Sequence, residues 1–170
     1  MKSIFMLLFL FAFVAVQAQA DKSKRPSPPD SVYATTKNGT TISISYSQPS
    51  VKGRTIGKDL EPLPGKVWRT GANEATVFEV TKEVKVEGKK LPAGKYGLFT
   101  IFDNGEWTVI FNKTWNQWGA FSYKEADDVL RIKAKDEKNK DFAEKMKFNI
   151  SDKGKVELVW GEHVMQFKDE

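Results

Sequence analysis

Apolar and polar residues alternate with a period of two along most of this chain, a pattern that predicts β-strands. Residues 42–46 read Ile-Ser-Ile-Ser-Tyr, residues 76–80 carry Thr, Phe and Val at every second position, and residues 84–86 carry two valines around a lysine. Because successive side chains of a strand point to opposite faces of a sheet, we expect each of these strands to bury one face.

An Asn104-Gly105 dipeptide marks the clearest local feature, a predicted hairpin near the middle of the chain. A type I′ turn requires positive φ at both central residues, and Asn and Gly tolerate it best. With these two residues as the loop, three pairs share one face of the hairpin: Phe102 with Trp107, Thr100 with Val109, and Leu98 with Phe111. Both faces of the hairpin are largely apolar, so we expect it to be central and covered on both sides.

Two further turns are predicted near the end of the chain. Residues 146–160 contain two alternating runs on either side of an Asp-Lys-Gly turn at residues 152–154. A second two-residue turn, Gly-Glu at residues 161–162, would place His163 opposite Trp160. The same register would set Met165 opposite Leu158 and Phe167 opposite Val156.

The strands number about nine or ten, are short and are expected to pair antiparallel. Their spacing predicts an all-β protein with a single β-sandwich or jelly-roll-like domain. Residues 135–145, rich in Lys, Glu and Ala, favour one or two helical turns. Residues 48–66 form the longest irregular segment, with three prolines and three glycines. A loop of that length in a compact domain is usually functional or disordered.

The first 20 residues have the three parts of a secretory signal peptide. Lys2 precedes an apolar run over residues 4–16, and the small residues Ala18 and Ala20 follow. The apolar run is shorter than the stretch of about 20 residues that spans a bilayer. We therefore expect cleavage after Ala20, with Ala18 as the alternative, and no stable membrane span in the mature protein.

The expected organisation has three parts. A signal peptide covers residues 1–20, a flexible proline-rich leader covers residues 21–31, and one β-sandwich domain covers residues 32–170. The chain has no cysteine, which excludes disulfides, thiol catalysis and thiolate metal sites. A domain of this length can bury enough surface to fold without such cross-links.

The net charge is modestly positive, but its distribution argues against a nucleic-acid partner. Without Lys2 the 27 basic residues become 26, against 22 acidic residues. The lysines between residues 133 and 147 alternate with aspartates and glutamates instead of forming one positive block. Such mixed charge is typical of a solvated surface, and we expect no nucleic acid to bind.

Several catalytic chemistries lack the residues that they need. His163 is the single histidine, so neither a histidine-rich metal site nor a Ser-His-Asp triad is expected, and no Gly-x-Ser-x-Gly motif occurs. We expect His163 to be a packed or rim residue and predict no catalytic residue, metal or cofactor. A pair of carboxylates stays an alternative, with Glu74 and either Asp127 or Asp128 hydrolysing a glycosidic bond.

The segment after the long loop is the strongest candidate for a binding site. Residues 68–76 carry Arg69, Asn73 and Glu74 around a Gly71 turn. An arginine fork, an amide and a carboxylate can together hold a sugar or a carboxylate ligand. The structural alternative is that Asn73 and Gly71 supply turn geometry while Arg69 and Glu74 form an ion pair.

Two tryptophans in the polar segment 115–119 form the second candidate. A ring such as that of Trp118 can stack on the face of a sugar while neighbouring amides bind its hydroxyls. The alternative is that Trp115 and Trp118 fold over the end of the sandwich and cover the core.

Six segments of the chain resemble a family of exported proteins, mainly from Bacteroidota, known only as a domain of unknown function (DUF2911). The segments are residues 46–54 (YSQPSVKGR), 68–76 (WRTGANEAT), 91–96 (LPAGKY), 107–113 (WTVIFNK), 117–119 (QWG) and 128–131 (DVLR). The resemblance implies an exported, mostly-β domain of a Gram-negative bacterium, in the periplasm or outside the cell. It implies no activity.

The resemblance also indicates which residues a site would use. Residues shared with the family are Arg54, Trp68, Arg69, Asn73, Glu74 and Trp118. Family members often carry an aromatic residue after the isoleucine that matches Ile56, whereas this chain continues with Gly57. The resemblance therefore does not define the shape of the long loop.

These observations favour a non-catalytic binding or interaction module of the cell envelope. The expected ligand is small and polar, with a saccharide among the candidates, and the expected contacts are Arg54, Arg69, Asn73, Glu74 and Trp118. The alternatives are a hydrolase with Glu74 as acid or base, and a purely structural envelope protein. Binding predicts that Arg69 and Trp118 are exposed together, whereas a structural role predicts that Arg69 and Glu74 are buried as a pair.

Overall fold

The computed structural model describes residues 21–168, and these residues form an all-β fold. The ten strands are β1 (Pro29–Thr35), β2 (Thr41–Ser47), β3 (Val67–Trp68), β4 (Thr76–Val80), β5 (Val84–Val86), β6 (Lys89–Leu91), β7 (Gly94–Asp103), β8 (Glu106–Asn112), β9 (Asp128–Ile150) and β10 (Lys155–Lys168). Two 3₁₀ turns, Lys22–Lys24 and Glu125–Asp127, are the helical elements of this part of the chain. Within it, no helix has the length and apolar character needed to cross a membrane.

Eight strands form one antiparallel sheet that curls around a single main core. Its order is β1-β2-β4-β7-β8-β9-β10, with β3 beside β7, while β5 and β6 form a separate two-stranded sheet. In β10, the ring centroid of Phe167 lies 6.2 Å from that of Phe78 in β4 and 5.8 Å from that of Phe111 in β8. Because β4 and β10 are not neighbours in the sheet, these contacts require it to curl. The predicted all-β fold is confirmed.

The central hairpin has the predicted register. Asn104 and Gly105 have φ angles of 49° and 77°, and Phe102 pairs with Trp107. The face that carries Trp107 belongs to the main core, and the opposite face forms a smaller cluster around Phe99. Both faces are therefore covered, because the sheet curls over one and the segment after β8 packs against the other.

The first of the two predicted C-terminal turns is correct, but the helix is wrong. Ile150 pairs with Val156 across the turn. Residues 135–145 lie within β9 instead of a helix, opposite β8 at their beginning and β10 along the rest. Their local preference is helical, but pairing with two neighbouring strands supplies a ladder of backbone hydrogen bonds that one or two exposed helical turns cannot match.

The predicted turn at residues 161–162 is also wrong, because β10 continues through it. Gly161 has a φ of 60° and marks a bulge, with register shifts on both sides. His163 consequently pairs with Lys138 and not with Trp160, and Met165 pairs with Asp136. The predicted pairs of Met165 with Leu158 and of Phe167 with Val156 do not form. Glycine tolerates positive φ in a bulge as well as in a turn, so the residue alone could not distinguish the two.

Gly161 also allows the long loop to pack onto the sheet. A Cβ atom at this position would collide with Cδ1 of Ile56 in the loop. We predict that Gly161→Ala lowers the free energy of unfolding by about 2–4 kcal/mol, from backbone strain together with overpacking. The control is Gly105→Ala. Gly105 also has a positive φ, but no heavy atom lies within 4 Å of the added Cβ. This substitution should therefore lower the free energy of unfolding by only about 1–2 kcal/mol.

Urea unfolding of both variants measures the difference. Equal losses at the two glycines would show that the contact between Ile56 and β10 adds nothing beyond strain.

Candidate functional site

The predicted turn at residues 68–76 is a closed loop fixed by its own hydrogen bonds. Trp68 is 2% exposed, and its indole Nε1 donates to the carbonyl of Gly71 over 3.0 Å. Thr76 donates from its backbone N–H to Arg69 and from its hydroxyl to Thr70, over 3.1 and 2.8 Å. The loop therefore presents its own residues Asn73 and Glu74 in a fixed arrangement, which is what a binding surface needs.

Glu74 projects from this turn and does not pair with Arg69, contrary to the structural alternative. Arg25 Nη1 lies 3.0 Å from both carboxylate oxygens of Glu74, and Lys22 Nζ lies 3.0 Å from Oε1. The carboxylate is therefore held by the segment that precedes β1. About 50 residues separate the partners in sequence, so spacing within residues 68–76 could not reveal them.

Asn73 and Trp118 contact the same N-terminal segment. Asn73 has a φ of 56°, and its side-chain Nδ2 donates to the carbonyl of Ser27 over 2.9 Å. The guanidinium carbon of Arg25 lies 5.7 Å from the ring centroid of Trp118, whose side chain is 54% exposed. Glu74 and Trp118 also form a backbone bridge. Three of the five predicted residues thus form one surface, called here the Glu74 surface: Asn73, Glu74 and Trp118.

The N-terminal contacts control the ionisation of Glu74. Burial alone would raise its pKa, but hydrogen bonds from Arg25, from its own backbone and from Lys22 lower the pKa to about 2. The group is therefore ionised at every pH near neutrality. A general acid of a glycoside hydrolase needs a raised pKa, so this environment does not suit the acid role that the hydrolase hypothesis gave to Glu74.

The second carboxylates of that hypothesis lie elsewhere. Asp127 accepts a hydrogen bond from the hydroxyl of Thr114 over 2.9 Å, and Asp128 accepts one from Nε of Arg131 over 2.6 Å. Neither forms a hydrogen bond with Glu74 among the described residues, and neither lines the pocket beside Glu74. In the same part of the chain, no group of three or more His, Asp and Glu residues could hold a metal ion.

Arg69 lies at the base of the turn and is only half-exposed. Its Nε is buried without a hydrogen-bond partner among residues 21–168, as is Oε1 of Gln117. Burial lowers the pKa of Arg69, although the charge of Glu61 opposes this. Trp118 is exposed but Arg69 is not exposed beside it, so the arrangement matches neither of the two alternatives in full.

Arg54 lies in a different pocket from the Glu74 surface. The pocket has a volume of about 250 Å³ and is called here the loop pocket; its lining residues are Arg54, Thr55, Ile56, Phe142, Glu162 and His163. Arg54 donates from Nε to the carbonyl of Val51 over 3.0 Å and from Nη2 to that of Ser50 over 2.6 Å. These bonds hold the guanidinium group against its own loop.

Contacts with β9 and β10 keep the long loop in place above the pocket. Val51 is buried in the main core, and its backbone N–H donates to Glu144 in β9 over 2.9 Å. Further along, the indole of Trp160 in β10 donates to the carbonyl of Glu61 over 2.8 Å. The loop therefore forms one fixed wall of the pocket, and the bulged part of β10 forms the other.

His163 is a packed rim histidine, as predicted, and its orientation is fixed. Its Nδ1 lies 2.8 Å from Oδ2 of Asp136, while Oδ1 of Asp136 accepts a hydrogen bond from the indole of Trp107 over 2.8 Å. The ring also packs edge-on against Phe102, with centroids 4.9 Å apart. Because Asp136 binds Nδ1 of His163, Nε2 is the ring nitrogen that remains for another partner. His163 also lines the loop pocket.

Sequence reasoning missed Glu162, Phe142 and His163 as pocket residues. Glu162 was expected in a turn and Phe142 in a helix, so both assignments removed them from consideration. The position of Arg54 in a long, Gly- and Pro-rich loop was the one signal that pointed to this pocket.

The lowered pKa of Glu74 predicts how its contacts depend on pH. A carboxyl group with a depressed folded-state pKa contributes stability above its ordinary value of 4.5 and loses it as the pH falls towards about 2. We expect Glu74→Gln to be less stable than the wild type by about 1 kcal/mol or less at pH 7, because the pair is partly exposed. The two proteins should become equally stable near pH 2.

Urea unfolding at both pH values, repeated at high salt, checks this expectation. Glu79→Gln is the matched control, because Glu79 forms an exposed pair with Lys95 at 3.4 Å on the sheet. A stability difference for Glu74→Gln that persists unchanged at pH 2 would contradict the charge-based account.

Comparison with known proteins bears on the whole domain. No curated protein and no solved structure matches this chain. A family model described as "Protein of unknown function (DUF2911)" matches residues 27–168, which cover all ten strands. The chain therefore belongs to the DUF2911 family.

Proposed function

We propose that the protein is an exported, non-catalytic binding module of a Gram-negative cell envelope that holds a small polar ligand in the loop pocket. Export rests on the signal-peptide pattern of residues 1–20. The binding role rests on one observation: the pocket carries Arg54 and Glu162, a cation and an anion that form no ion pair with any described residue.

The pocket offers complementary chemistry at its polar and apolar walls. Arg54 can bind a carboxylate, Glu162 can accept from an ammonium or hydroxyl group, and His163 is held in one orientation between two packed rings. Ile56 and Phe142 supply apolar surface for the body of a ligand. This combination fits a small molecule that bears a carboxylate together with hydrogen-bond donors, either an acidic saccharide or a free amino acid.

The size of the pocket supports a ligand of this class. A volume of about 250 Å³ lies slightly below the range of about 300–1,000 Å³ typical of sites for drug-sized molecules. It would accommodate one sugar ring or one amino acid, and not a folded partner. The ordered loop wall means that little rearrangement is needed on binding, which favours affinity for so small a molecule.

A ligand screen on the mature protein tests the proposal. Thermal-shift measurements against neutral sugars, acidic sugars and amino acids should give a raised melting temperature for the carboxylate-bearing compounds only. Binding to the folded state stabilises it by RT ln(1 + c/Kd), where c is the free ligand concentration, so the shift should grow with the logarithm of ligand concentration above Kd. If no compound of the three classes raises the melting temperature, the proposal is overturned.

The Glu162→Gln variant locates the site. The side chain of Glu162 is exposed and forms no hydrogen bond with the described residues, so its replacement should leave the melting temperature of the free protein unchanged. Titration calorimetry with a compound that raises the melting temperature of the wild type should show its binding weakened by about tenfold or more. This is the loss expected from one charge-assisted hydrogen bond. Glu106→Gln, which removes an exposed partner of Lys133 outside the pocket lining, is the control and should bind as the wild type.

A further inference from the structure

The segment before β1 lies across the Glu74 surface in an ordered way. Residues 21–27, called here the strap, include the 3₁₀ turn Lys22–Lys24. Every hydrogen bond that joins the strap to the rest of the described chain ends on Glu74 or Asn73. Backbone bonding to the sheet starts only beyond the strap, where the carbonyl of Pro28 accepts from Gln48 over 2.8 Å.

The contacts that hold the strap suit the side chain of an arginine. One guanidinium group meets both a carboxylate, at 3.0 Å in Glu74, and an aromatic face, at 5.7 Å in Trp118. A planar guanidinium satisfies both partners better than an ammonium group does. The amide of Asn73 adds a bond to the backbone carbonyl of Ser27, two residues after Arg25, which fixes the direction of the segment.

The domain forms the surface without the help of the strap. Asn73 and Glu74 lie within the closed turn of residues 68–76, and Glu74 is joined to Trp118 by a backbone bridge. The backbone N–H of Gly119 also donates to the carbonyl of Asn73 over 2.9 Å. Two separate segments of the domain thus hold the three recognition groups in place, so the surface is preorganised for its occupant.

The strap itself is held weakly enough to leave. The side chains of Lys22, Glu74 and Arg25 are 59%, 39% and 27% exposed, respectively. Ion pairs at such exposure contribute about 1 kcal/mol or less each. A segment held by a few contacts of this strength exchanges between bound and free states, and its covalent attachment keeps it at a high local concentration.

We propose that the Glu74 surface is a binding site for peptide segments that carry an arginine just after a 3₁₀ turn, and that the strap of the same chain occupies it and exchanges between bound and free states. The contacts of the strap define the sequence of the ligand. A lysine three residues before the arginine forms a second ion pair with Glu74. The second residue after the arginine accepts a hydrogen bond from Asn73 at its backbone carbonyl. The site is separate from the loop pocket, and neither depends on the other.

A release variant tests the site. In Lys22→Ala/Arg25→Ala, the strap loses its cations and should leave the surface open. A fluorescent peptide of residues 21–28, DKSKRPSP, should bind this variant in an anisotropy titration, with wild type binding the peptide about tenfold or more weakly because its own strap competes. Adding Glu74→Gln to the release variant should weaken binding of the peptide by a similar factor.

Three controls separate recognition from general charge attraction. A scrambled peptide with the same net charge should bind about tenfold more weakly, and a peptide with Lys in place of Arg25 should lie between the two. Glu79→Gln in the release variant should leave peptide binding unchanged. If the release variant does not bind the peptide, or binds the scrambled peptide equally well, the proposal is overturned.

Limited proteolysis of single variants tests whether the strap leaves the surface in the intact protein. Trypsin can cleave the strap after Lys24, and Glu74→Gln should accelerate this cleavage several-fold over wild type, whereas Glu79→Gln should not. Equal cleavage rates in all three proteins would contradict a strap held by Glu74. A wild-type dimer that dissociates in the release variant would overturn occupation by the strap of the same chain and indicate exchange between two copies instead.

Discussion

The long strand β9 is the constraint on which the rest of this fold depends. Its first residues pair with β8 and its remaining residues with β10, so a single strand connects the central hairpin to the C-terminal one. The sheet must curl at this connection, and the curl brings Phe167 against Phe78 and Phe111 in the core. It also places Asp136 where one carboxylate holds both the buried indole of Trp107 and the ring of His163.

Two surfaces result from the same arrangement, and they use charge in different ways. In the loop pocket, Arg54 and Glu162 have no ionic partner in the described chain, and they line the pocket from the long loop and from β10, respectively. On the Glu74 surface, every recognition group already has a partner, because Arg25 and its neighbours lie over Glu74 and Trp118. Unpaired charges in a pocket suggest a small ligand, whereas a surface that already holds a segment of the chain suggests a peptide.

Much of the fold could be predicted because it depends on local pattern. Asn104 and Gly105 fixed the register of the central hairpin through their tolerance of positive φ, and the period of two identified the strands. The errors lie where pairing between distant segments outweighs local preference. Residues 135–145 have a helical composition but lie within a strand, and Gly161 allows a bulge where its sequence context suggested a turn.

By itself, the sequence determined the all-β class and the central hairpin, and it singled out Asn73, Glu74 and Trp118 as candidate site residues. These follow from periodicity, turn chemistry and the resemblance of short motifs, all of which act within a few residues. Only the tertiary structure decided that Glu74 pairs with Arg25 instead of Arg69, and that Arg54 lies in a separate pocket beside His163. Contacts of this kind join residues about 50 to 100 positions apart, and they form only after the sheet has curled and brought those segments together.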